Sequence, residues 1–194
     1  MEDVLENTFP EFDLFVSPAK RLSTRGRKSG GVLCMVKKTV RSFFEQIPCR
    51  FENILVFKVS DELFAIPQDC LLFCGYVPPM NSPYYDAVEE NDGISVLESC
   101  VDEISSQFPD CKILLCGDLN SRTGNYNVST AWNIGDARSE ALVETRHSRD
   151  NVVNDYGRSL LSFCMSFDLS ILNGSEELPE SGEFTFLSPV GKCH

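Results

Sequence analysis

Asp118 and Asn120 stand two residues apart where an apolar run, KILLCGDLNSRTG (112–124), turns polar. An aspartate in such a place can orient or deprotonate a water, and an asparagine can donate to a phosphate oxygen without adding a charge that repels it. In an extended chain, residues two apart project to one side, so both groups are expected to face one way from the strand exit. Functional side chains concentrate on loops of this kind because a rigid scaffold positions them. Gly-Asp-x-Asn is equally a good turn sequence, and a turn alone would account for it.

Tyr76 closes a second apolar run, DCLLFCGYVPP (69–79), where a phenol could bond a phosphate oxygen or simply pack at the loop edge. Asn154, Asn173 and Thr185 lie at the edges of later elements. His147 falls in a polar loop, where exposure is expected, and His194 is the last residue.

These groups need a scaffold. FDLFVSPA (12–19), GVLCMVKKTV (31–40) and the alternating ILVFKVS (54–60) read as strands, and 69–79 reads as a buried strand entering a loop at two prolines. Ile94, Leu97, Val101, Ile104 and Phe108 recur at steps of three and four, which predicts a helix over 93–108 capped by Asn91 or Asp92. KILLCGDLN (112–120) reads as a central strand, followed by a long Gly/Asn/Ser-rich loop to about residue 150. A second helix is expected within 154–167, then strands at LSILNG (169–174) and GEFTFLS (182–188). Strands outnumber helices, so the class is α/β with a layered sheet core.

A chain of 194 residues, 42% of them apolar, is long enough to bury one core, so a single domain over 1–194 is expected. No apolar run approaches the roughly 18–20 residues of a membrane span, and the first residues are acidic where a secretory signal would be basic. An intracellular location, nuclear or cytoplasmic, is therefore expected. The nine cysteines are odd in number and several lie in apolar runs, which favours reduced core thiols over disulfides. With no CxxC and two histidines, a zinc site is disfavoured.

A net charge of −12 is unusual for a nucleic-acid binder, but the charge is unevenly spread. Residues 20–41 hold 8 of the 17 basic side chains and no acid, among them Arg25, Arg27 and Lys28. Such a segment can meet phosphates electrostatically, or it can be a solvated loop and strand edge.

Taken in order, SGGVLCMVKK, GYVPP, KILLCGDLNSRTG, RHSRDNVVNDYGRSLLSFC, LSILNG and GEFTFLSPVG resemble the endonuclease/exonuclease/phosphatase superfamily. Within it they are most similar to the apurinic-type endonuclease domain of non-LTR retrotransposons, which precedes a reverse transcriptase. The resemblance runs from about residue 12 to the end and implies a four-layered, deoxyribonuclease-I-like α/β sandwich that cleaves DNA phosphodiesters with Mg2+. Such a metal polarises phosphoryl oxygens and stabilises the leaving oxygen. By match of motif, Asp118 would activate the attacking water, Asn120 would hold the scissile phosphate and Tyr76 would assist there. Thr185 would contact DNA, with Asn154 as a further contact.

The family opens with a Gln-Glu segment whose Glu binds the metal and closes with Ile-Asp-Tyr and Ser-Asp-His segments, and neither has a counterpart here. His147 and His194 do not match the family's histidine. The expectation is thus a domain truncated at both ends, a fragment of a retroelement with weak or no hydrolase activity. A non-catalytic DNA-binding relic of the same fold, a phosphomonoesterase of the same superfamily, and an interaction domain with no phosphate site are the other readings.

Overall fold

A computed structural model describes residues 7–21, 28–88, 92–128, 142–144 and 146–175 of the chain. The architecture is mixed α/β, and it divides into two compact units, 1–119 and 120–194.

In the first unit, β1 (Phe12–Ser17) and β2 (Val32–Lys37) form an antiparallel pair, with Phe12 opposite Lys37 and Ser17 opposite Val32. A four-stranded sheet holds β3 (Phe44–Ile47), β4 (Ile54–Val59), β5 (Cys70–Tyr76) and β6 (Lys112–Asp118) in that order. The first two joints are antiparallel and the third, β5 to β6, is parallel. A parallel step needs a long crossover. Here it includes α2 (Pro83–Val88) and α3 (Gly93–Ser105), while the short α1 (Asp61–Phe64) joins β4 to β5.

Alternation along β4 and β5 divides two apolar sets between the faces of the sheet. On one face, Leu55, Phe57, Val59 and Cys70 meet Phe15, Val32 and Cys34 of the β1–β2 pair. Phe57 is fully buried, and the Phe15 ring stands edge-on to it at 4.9 Å between centroids. Burying one such side chain stabilises the fold by about 1.5–3 kcal/mol, and the edge contact adds roughly 0.5–1.5 kcal/mol. On the other face Val56, Leu71 and Phe73 are fully buried, and α3 lies on that side, with its Val96 sharing a small cavity with Ile54. The α3 stripe expected from its spacing is dry at Ile94, Leu97, Val101 and Ile104. Asp92 caps the helix, its Oδ1 accepting from the N–H of Ile94 at 2.8 Å and of Ser95 at 2.9 Å.

Three expectations for this unit need correction. The strand read over 31–40 ends at Lys37, where Lys38–Phe43 coils into a 3-10 helix, and β3 follows as a further strand. Regular helix ends at Ser105 and not at 108. Among the described residues β6 is the last strand of its sheet, with β5 its one neighbour; where a covered central strand was expected none of its residues is buried, and Cys116, Gly117 and Asp118 are exposed. An apolar run of this kind reads as a strand covered on both sides, but only one side has a described partner.

The second unit contains β7 (Tyr126–Val128) paired antiparallel with β8 (Leu142–Glu144), and α4 (Asp155–Ser166). Both strands fall inside the stretch read as loop. Of the residues at helical spacing, Tyr156, Leu160 and Cys164 of α4 are buried and Phe167 at its C-cap is half-buried, while Leu161 and Phe163, outside that spacing, are buried too. The strand expected at 169–174 does not form. Asp168 takes a positive φ of 53°, and the N–H of Leu169 donates to the Cys164 carbonyl at 2.8 Å, so this stretch closes the helix. The 182–188 segment lies outside the described residues.

No described helix is long and apolar enough to cross a membrane. The eight described cysteines are all free thiols; Cys70, Cys100 and Cys164 are buried, whereas Cys116 is at the surface and not in a core. Cys193 lies outside the described residues.

Candidate functional site

Within the first unit, Tyr76 and Asp118 are in-register partners at the carboxyl ends of the parallel strands β5 and β6. Both strands are tied off at that level. The N–H of Tyr76 donates to the Asn53 carbonyl, and the N–H of Val77 donates to the Asp118 carbonyl, each at 2.9 Å. One residue earlier Gly117 pairs with Gly75, and at φ 136° a Cβ on Gly117 would sit 1.8 Å from the Gly75 carbonyl oxygen. Only glycine permits that approach. Burial pushes the Tyr76 phenol above its usual pKa, and the Asp118 carboxylate adds to the rise. The phenol is thereby kept protonated and able to donate, beside an exposed carboxylate that can accept.

Within the second unit, Asn120 opens the chain in the left-handed region, φ 49°. Strand geometry ends at Asp118, so the alternation expected to carry from 118 to 120 does not apply. Asparagine tolerates this conformation better than most residues. Its carbonyl accepts from Nδ2 of Asn154 at 3.2 Å. Asn154 is the N-cap of α4, and its Oδ1 accepts from the N–H of Gly157 at 2.6 Å and from the N–H of Arg122 at 3.0 Å. The Arg122 backbone lies against the helix so closely that a Cβ on Gly157 would be 1.9 Å from its carbonyl oxygen.

Three residues that the sequence reading passed over hold this turn. Arg122 donates from Nε and Nη2 to the two carboxylate oxygens of Asp150, both at 2.7 Å, and the guanidinium holds the Asp150 carboxyl below its usual pKa. Arg146 is buried, and its guanidinium donates to Thr123 Oγ1 at 2.8 Å and to the carbonyls of Asn173, Gly124 and Tyr126. Arg122 lies within the run KILLCGDLNSRTG. Nothing in local spacing pairs it with Asp150, 28 residues on, or marks Arg146 as buried.

The remaining candidates are dispersed. Lys28 is exposed. Elsewhere in the basic segment, Lys20 pairs with Glu52, and Arg41 pairs with Asp13 at 3.4 Å while lying over the Phe15 ring. Part of that charge is thus neutralised within the fold. Asn173 is at the surface and offers its carbonyl to Arg146, and His147 is exposed as expected. Arg25, Arg27, Thr185 and His194 lie outside the described residues.

No protein-family model, curated protein or solved structure matches the chain. Among the described residues no three His, Cys, Asp or Glu side chains are grouped so as to hold a metal ion.

Proposed function

We propose that this chain carries part of a phosphodiester-hydrolysing site of the endonuclease/exonuclease/phosphatase kind, that its ligand is DNA, and that it derives from a retroelement whose parent protein also bears a reverse transcriptase. The observation that supports the reading is the in-register pairing of Tyr76 with Asp118 at the carboxyl ends of two parallel strands, where open α/β sheets tend to place ligands. In this reading the Asp118 carboxylate accepts a proton from water as the water oxygen attacks phosphorus, the P–O bond to one sugar oxygen breaks, and that leaving oxygen takes a proton from solvent. The protonated phenol of Tyr76 donates to a non-bridging phosphate oxygen, which gains charge in the transition state. By the motif match, Asn120 is a residue that would hold a phosphate oxygen through its side-chain amide.

Nicking of supercoiled plasmid by the purified chain in Mg2+ buffer, with salt-dependent binding of a labelled duplex measured alongside, tests the proposal. Slow nicking that falls by about 100-fold or more in Asp118→Asn supports catalysis. Binding that weakens with salt, without nicking, supports the non-catalytic relic. Release of inorganic phosphate from small phosphate esters, with no effect on plasmid, would replace the nuclease reading with a phosphomonoesterase. A chain that neither binds nor cleaves any of these would overturn the proposal.

A further inference from the structure

One pleat below Tyr76 and Asp118, on the same two strands, Cys74 and Cys116 are also in-register partners. Their sulfurs are 3.6 Å apart, within hydrogen-bond reach for thiols. Directly paired residues on neighbouring strands project to one side with Cα atoms about 5 Å apart, inside the range that a disulfide spans. Bond formation requires the sulfurs to close from 3.6 Å to about 2 Å. Cys116 is exposed and Cys74 half-buried; a third thiol, Cys34 of β2, packs against the same apolar cluster as Cys74.

The fold contains its own comparison. Cys49 and Cys100 also bring their sulfurs within 3.5 Å, but Cys100 is fully buried and Cys49 half-buried, so neither is an exposed residue. Only the β5–β6 pair combines contact between sulfurs with a surface thiol among the described residues.

We propose that Cys116 and Cys74 are a reversible redox pair, in which Cys116 reacts with a peroxide and Cys74 resolves the product to a disulfide. The Cys116 thiolate attacks one peroxide oxygen, the O–O bond breaks, and the departing oxygen leaves as water once protonated. Cys116 then carries a sulfenic acid. The Cys74 sulfur, giving up its proton, attacks the Cys116 sulfur. The S–O bond breaks, hydroxide leaves and takes that proton, and the S–S bond forms. Two thiols and one hydrogen peroxide thus give one disulfide and two waters. A small dithiol or monothiol reductant restores the pair.

The order of events follows from the local charges. The neutral Cys116 thiol donates to Cys74; once ionised it accepts from Cys74, which brings Cys116 down to about 7, whereas Cys74 is pushed up, chiefly by Cys116. Cys116 is therefore the attacking group at neutral pH. Once it is a sulfenic acid it no longer holds negative charge against Cys74, whose ionisation becomes easier. The pair depends on no phosphodiesterase chemistry, and its test stands apart from the nicking assay.

The full-length chain is treated with hydrogen peroxide at pH 7, quenched with N-ethylmaleimide and digested with trypsin for mass spectrometry. Cys116 falls in peptide 113–122 and Cys74 in peptide 59–112. The expected product is a cross-link between these two peptides that dithiothreitol reverses. It should persist in Cys70→Ser and vanish in Cys74→Ser, where dimedone instead traps a sulfenic acid on 113–122. The cross-link is read on the unaltered protein, so a variant that fails to fold does not decide the matter. A free or sulfonated Cys116 with no cross-link, or a Cys49 cross-link from 42–50 that forms first, would overturn the proposal.

Discussion

Asp150 grips Arg122 through two parallel bonds, one from Nε and one from Nη2, each 2.7 Å long. The carboxylate is held below its usual pKa by that guanidinium, so the folded unit binds the Asp150 proton more weakly than the unfolded chain does. The stabilisation is present above the unfolded carboxylate value of about 4 and is lost as pH falls through the depressed folded value. Both side chains keep part of their surface in water, and Asp150→Asn should cost about 1 kcal/mol at pH 7. Thermal unfolding of the two proteins between pH 7 and 3 checks this. The gap between them should close below about pH 4, and a constant gap throughout would count against the pairing.

Asn154 offers a cleaner substitution because its two side-chain atoms do different work. Asn154→Ala removes the helix cap and the bonds to Arg122 and Asn120, for an expected loss of about 2 kcal/mol. Asn154→Asp keeps an acceptor at the cap and adds a charge favoured at a helix N-terminus, so it should lose less than about 1 kcal/mol. Urea midpoints read both values. Equal losses in the two variants would mean that Oδ1 is not the atom that matters.

Tyr76 should ionise late. Its folded pKa is raised by burial and by Asp118, so the folded chain retains the phenolic proton beyond the point at which the unfolded chain releases it. The stability this confers is complete below the usual tyrosine value of about 10 and is lost as pH rises through the folded value. Absorbance titration of the chain against Tyr76→Phe isolates this one phenol. Asp118→Asn should move its ionisation to lower pH, and an unmoved titration would separate the two side chains.

Long, regular patterns were readable from the sequence for a physical reason. The α3 stripe and its Asp92 cap, and the apolar alternation of β4, are local features, and each determines its own conformation. Shorter elements gave no such signal: β3 has four residues, β7 and β8 three each, and their hydrogen bonds depend on partners brought in by the fold. LSILNG is apolar enough for a strand, yet the amide of Leu169 is used in finishing α4. For the site, Tyr76 and Asp118 stood out because each interrupts an apolar run with a polar group. Arg122, Asp150 and Arg146 did not, since a charged residue in a polar stretch looks solvated until its distant partner is known.

Gly75 and Gly117 lie opposite each other immediately before Tyr76 and Asp118, yet they are not equivalent. A methyl group at 75 would meet the Ile54 side chain at 3.9 Å and the Asn53 carbonyl oxygen at 4.0 Å, both ordinary contact distances, whereas one at 117 would strike the neighbouring backbone. A library randomised at both positions and selected for folding should therefore return variety at the first and glycine at the second. The separation of the phenol from the acid is set by a position that contributes no atoms of its own.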